Sequence, residues 1–145
     1  MDDMQVTQQE SYGKGDATYQ AAGGQVGIRR LVDCFFDIMA SDPHYATIYQ
    51  WHPEDKETSR DKLALFLCGW MGGPRLFEEK YGRVRIPEAH RHLQVTAVER
   101  DQWLGCMSRA LAEQDYPPEL VNYLMQQFYI PAERVRQACT GEPVS

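Results

Sequence analysis

The stretch PEAHRHLQ, residues 87 to 94, sets His90 and His92 on either side of Arg91. A neutral imidazole nitrogen is the commonest metal ligand among side chains, and it also titrates near physiological pH. A solvated turn would account for the pair as readily as a metal would. Zinc needs Cys and His in close pairs separated by a longer gap. His90-x-His92 offers one such pair, and no second cluster is evident. Cys34, Cys68, Cys106 and Cys139 are widely spaced with no CxxC, and read as reduced, buried thiols. No HExxH or nucleophile motif occurs, GWMGGP lacks the GxxxxGK[ST] order, and a DxDxDG calcium loop is absent.

The elements around this stretch are helical. Ile28, Leu31, Val32, Phe35 and Met39 recur at three, four and seven, which predicts an amphipathic helix over 25–41. Gly23-Gly24 marks a tight entry and Asp42-Pro43 closes it. A helical turn is predicted at 44–50, then a loop. Leu63, Phe66, Leu67 and Trp70 form the face of the next helix. Thr58 and Asp61 resemble its capping box, and Gly72-Gly73-Pro74 ends it. Residues 75–92 carry short helical fragments at best. Thr96 and Glu99 form a second capping box before a helix with Trp103, Met107 and Ala110 on one stripe. Pro117-Pro118 opens a last helix with the face Leu120, Leu124 and Phe128. Pro131 lies inside it and is expected to kink or split it near residue 130.

Val and Ile sit at helical spacing, so nothing reads as strand. The expectation is an all-α chain with about four substantial helices and a long irregular connection from 72 to 95. Connections of that length tend to be functional. Two readings stay open for this one. It places a histidine beside a hollow that takes a flat metal cofactor, or it is a surface loop on a small bundle.

Bulk properties narrow the class. One domain is expected for 145 residues, here 17–140, behind a flexible polar tail at 1–16. The net charge of −6, from 21 acids against 15 bases, argues against a phosphate-tracking nucleic-acid binder. No apolar run approaches the ~18 residues of a membrane span. The polar start has no signal-peptide pattern, so a cytoplasmic protein is expected.

Three stretches, AAGG at 21–24, FLCGWMGGPRLFEEKYG at 66–82 and VERDQWLGCM at 98–107, give the chain a likeness. From about Tyr19 to about Ala138 it resembles the group II truncated haemoglobins. The resemblance implies a globin-like, truncated two-over-two helical sandwich around haem b, its iron bound by one proximal histidine. Arg91-His92-Leu93 matches the family's Arg-His-Leu. An ungapped register between Gly82 and Trp103 puts the ligand at His90 instead, and this register is preferred. Ala89 then stands where the family has arginine, leaving Arg91 or His92 to meet a haem propionate. Trp103 aligns with the tryptophan characteristic of the group, a distal donor to bound O₂. Phe36 falls where tyrosine is common, so one hydroxyl is missing. His52 aligns with a distal position, and three extra residues ahead of it make Tyr49 a rival. Ser59 and Leu63 line the distal helix. Phe66 and Met107 complete the lining, with Phe77 near the haem edge.

The function so implied is reversible binding of O₂, NO or CO. Nitric oxide dioxygenation or peroxide handling is a secondary possibility that needs an unidentified electron donor, so whether the chain is an enzyme stays open. Two other classes also stay open: a haem-free helical interaction module, and a gas sensor acting through a partner. The sequence does not fix the oligomeric state.

Overall fold

The computed structural model describes residues 12–52, 55–86, 90 and 92–140. All regular elements among the described residues are helical: α1 (Ala17–Ala21), α2 (Gly24–Ser41), a 3₁₀ turn (Pro43–Tyr45), α3 (Ala46–Gln50), α4 (Lys56–Trp70), α5 (Leu76–Tyr81), α6 (Ala97–Ala112) and α7 (Pro118–Thr140). Helix α2 packs on α4, α6 packs on α7, and the two pairs meet where α2 lies on α6. Phe35, Phe36, Met107, Leu111, Leu120, Leu124 and Phe128 fill the space between the pairs. No helix among the described residues is long and apolar enough to cross a membrane.

Glycine turns set where two of the helices begin and end. Gly23 caps α2 at φ +94° and Gly72 follows α4 at φ +91°, a region that L side chains rarely adopt. A Cβ at Gly72 would also run into the carbonyl oxygen of Gly15, and one at Gly73 into the Tyr19 ring. The Gly-Gly-Pro sequence therefore ends α4 and lets the segment before α1 lie across its end. In that segment Gly13 N donates to Thr18 Oγ1 at 2.9 Å, and the Tyr12 ring lies 5.3 Å from that of Tyr123 on α7.

Two details differ from the sequence reading. Helix α4 begins at Lys56, and its cap is Asp55, which accepts from Thr58 N at 3.1 Å. Asp61, expected in a capping box with Thr58, instead accepts from Lys80 Nζ at 2.8 Å and Tyr81 Oη at 2.7 Å. It fastens α5 to α4. Helix α7 is not split at residue 130. It runs as one element through Pro131, whose missing N–H costs a single bond in a helix held by its buried face. The Thr96–Glu99 capping box of α6 forms as the spacing predicts.

Candidate functional site

The described parts of the 82–95 connection bring His90 back towards the helices. Ile86 and His90 both have helical backbone, and His90 Nδ1 lies 2.7 Å from the Ile86 carbonyl oxygen. A carbonyl only accepts, so Nδ1 carries a hydrogen, and in the neutral ring the lone pair lies on Nε2. The Cys139 thiol of α7 donates to the His90 carbonyl at 3.1 Å, so backbone and ring are both held. His90 is half-buried, whereas His92 is exposed. Arg91, the third residue of the motif, lies outside the described residues.

His52 follows α3 and is also half-buried. Its ring meets Phe36 edge-on, with 4.9 Å between centroids. His52 Nδ1 is buried without a hydrogen-bond partner among the described residues. Burial is the main cause that pushes this imidazole below its ordinary value, and the Lys56 ammonium acts the same way. The carbonyls of Tyr49 and Ile48 oppose the shift without meeting Nδ1 in a bond. His52 is therefore neutral at pH 7, with a polar atom facing no partner. Tyr49 is half-buried too, under the Lys56 ammonium at 4.5 Å from its ring centroid.

The remaining residues divide by burial. Phe36 and Met107 are sealed in the core. Leu63, Phe66 and Trp103 are half-buried and border it. The α4 face expected from the sequence is thus split. Ala64, Leu67 and Cys68 are buried, while Leu63, Phe66 and Trp70 form a strip left partly open. Phe77 on α5 meets the Phe66 ring at 6.0 Å. Trp103 lies edge-on to Phe35 at 5.2 Å and to Phe128 at 5.6 Å, and its indole N–H donates to no described residue. Ser59, one turn before Leu63, is buried.

Three participants escaped the sequence reading. The Ile86 carbonyl is a backbone group with no side-chain signature. The link from Cys139 to His90 spans 49 positions and has no local pattern. Gln102 Oε1 is buried without a partner beside Trp103. Its place one turn before the fully buried Cys106 was the available signal.

A flat macrocycle matches these features: one imidazole with a free Nε2, a second neutral imidazole with an orphaned nitrogen, and half-buried apolar side chains on α4, α5 and α6. Comparison with known proteins decides the family. The model of the bacterial-like globins matches residues 17–136. The chain belongs to that family, as a group II truncated haemoglobin.

The group 2 truncated haemoglobin YjbI of Bacillus subtilis is 28% identical over 120 residues, covering 83% of this chain and 88% of that one. Among solved structures, the cold-adapted truncated haemoglobin of Pseudoalteromonas haloplanktis TAC125 superposes with a TM-score of 0.77 at 33% identity. The match covers 81% of this globin and 95% of the other chain. The group II 2-on-2 haemoglobin of Agrobacterium tumefaciens gives the same score at 29% identity, covering 82% and 92%. The pairing of α2 with α4 and of α6 with α7 is thus the two-over-two sandwich. The globin family implies a haem cofactor, and globins bind diatomic gases such as O₂.

Proposed function

We propose that His90 is the proximal ligand of a b-type haem in a globin domain spanning 17–140, and that O₂, NO and CO bind there reversibly. The observation that carries this reading is the 2.7 Å contact between His90 Nδ1 and the Ile86 carbonyl. It favours hydrogen on Nδ1, which in the neutral ring is the tautomer an Nε2 ligand needs, and such a contact raises the basicity of that nitrogen. The sequence offers no CxxCH for covalent attachment, which supports haem b.

Bound haem would supply the iron that takes the diatomic ligand. The chain's part is to hold, shield and hydrogen-bond. Leu63, Phe66 and Phe77 supply apolar surface for the macrocycle. Trp103 has an indole N–H, a donor only, free for a ligand atom on which negative charge gathers. Phe36, with no hydroxyl, supplies no donor there. Neutral His52, or Tyr49 in its place, stands as a second distal group. Arg91 and His92 remain the groups for a propionate. Conversion of NO to nitrate and turnover of peroxide are further reactions for such a site, each needing an external electron donor for repeated cycles.

Titration with haemin, followed by the Soret band, tests the reading. His90→Ala is expected to abolish tight haem retention, whereas His92→Ala keeps it. The reverse outcome moves the ligand by two residues. A wild-type chain that takes up no haem sinks the proposal.

A further inference from the structure

Six rings run in series through the core. His52 meets Phe36 at 4.9 Å between centroids, Phe36 meets Phe35 at 5.6 Å, and Phe35 meets Trp103 at 5.2 Å. Trp103 meets Phe128 at 5.6 Å, and Phe128 stacks on Trp70 at 4.7 Å with an interplanar angle of 22°. Trp70 then lines a cavity of about 160 Å³ that it shares with Thr18, Tyr123 and Gln127. The Tyr123 ring lies 5.3 Å from that of Tyr12, tilted by 42°. Both tyrosines are half-buried and reach solvent.

The order of residue types along this series matters. Indole and phenol are among the side chains from which one electron is most readily withdrawn. Trp103, at the candidate distal site, is separated from Trp70 by one phenylalanine ring. Trp70 and the tyrosine pair border the same small space. Packing alone accounts for the buried phenylalanines. It does not require that the series end on two adjacent phenols at the surface.

We propose that this series carries electrons from Tyr12 and Tyr123 to the haem when peroxide is reduced there, and that the two tyrosines become covalently coupled. The proposal rests on the haem reading given above. Its overall balance is two phenols and one hydrogen peroxide giving one dityrosine and two waters. Each tyrosine yields one electron, by way of Trp70 and Trp103, and one phenolic proton to solvent. The peroxide O–O bond breaks as it takes up two electrons and two protons. The two phenoxyl rings then join through ortho carbons, and transfer of the displaced ring hydrogens to oxygen restores both phenols. Iron ends in the oxidation state in which it began, so peroxide is the only co-reactant. The new bond fastens the segment before α1 to α7.

The test uses the ferric, haem-loaded full chain with added hydrogen peroxide, read by dityrosine fluorescence and by mass spectrometry of the cross-linked peptides. A Tyr12–Tyr123 pair is expected in the wild type and none in Tyr12→Phe or Tyr123→Phe. Trp70→Phe keeps a ring against Phe128 but removes the oxidisable indole, so the yield is expected to fall severalfold at equal haem occupancy. Trp70→Tyr is expected to restore it. A chain that takes up no haemin fails the earlier reading. A haem-loaded chain that consumes peroxide and leaves Tyr12 and Tyr123 uncoupled overturns this one, and so does a full yield in Trp70→Phe.

Discussion

At the scale of single residues, the site rests on which polar atoms are free. The Trp103 indole N–H has no partner among the described residues, although its ring is wedged between Phe35 and Phe128. A donor held so rigidly and left open serves a ligand better than it serves packing. Trp103→Phe keeps most of the ring and deletes the donor. With a charge-assisted bond worth ~1.5–3 kcal/mol, O₂ dissociation from the ferrous protein is expected to quicken roughly ten- to hundredfold. An unchanged off-rate in stopped-flow measurement removes Trp103 from the distal mechanism. His52 raises a different question. Its buried Nδ1 has no partner and its ring is neutral at pH 7, so it is free to act as a ligand. If it or Tyr49 reaches iron, the ligand-free protein shows a six-coordinate spectrum that His52→Ala or Tyr49→Phe converts to a five-coordinate one. A spectrum that is five-coordinate or water-bound from the start excludes both. The side chains of this site were legible in the sequence because histidine and tryptophan carry chemistry in their type. The Ile86 carbonyl was not, since any residue could supply it.

At the scale of elements, what joins α6 to the far half of α7 is a cluster of charges. Glu133 accepts from Arg100 Nη1 at 2.8 Å and from Arg136 Nε at 2.7 Å, two residues beyond Pro131. Hydrogen bonds from these guanidinium groups, Arg136 first, hold its carboxyl down at about 2 against an ordinary 4.5. In the native state it binds fewer protons than in the unfolded chain. The stability it contributes is therefore fully present above pH 4.5 and is lost as the pH falls towards 2. Glu133→Gln is expected to flatten this part of the acid-unfolding curve, followed by helical circular dichroism, while changing little of its shape above pH 5. An unaltered acid limb means that the cluster is solvated and inert. The same region shows why the helix is kinked at most and not split at residue 130. Pro131 removes one backbone bond, but the buried Leu120, Leu124 and Phe128 and the ionic links after it continue one helix. Local rules located every long helix because the apolar periods and the Thr96–Glu99 box are local facts. They misplaced the start of α4, where Asp55 caps and Asp61 is drawn away by Lys80 and Tyr81 from another element. The partners that override a local pattern come from elsewhere in the chain, which is why spacing alone missed them.

At the scale of the whole molecule, the helices leave apolar surface that their own packing does not cover. Leu63, Phe66 and Trp103 stay half-buried, whereas the core beside them is closed. A macrocycle bound against this strip would cover it. Ligand that binds only the native state stabilises it by about 2.7 kcal/mol at a hundredfold excess over its dissociation constant. For a chain near this size that corresponds to a rise in thermal midpoint of roughly 5–10 °C. Haemin added to the haem-free protein is therefore expected to raise the midpoint in wild type and in His92→Ala, and to leave His90→Ala nearly unmoved. Calorimetry separates this from nonspecific greasing of the open strip. Specific ligation gives a shift that saturates at one haem per chain and is lost with the imidazole, whereas adventitious adsorption raises all three variants alike and keeps rising with haemin. Equal shifts in the three proteins would show that the half-buried strip, and not His90, holds the cofactor.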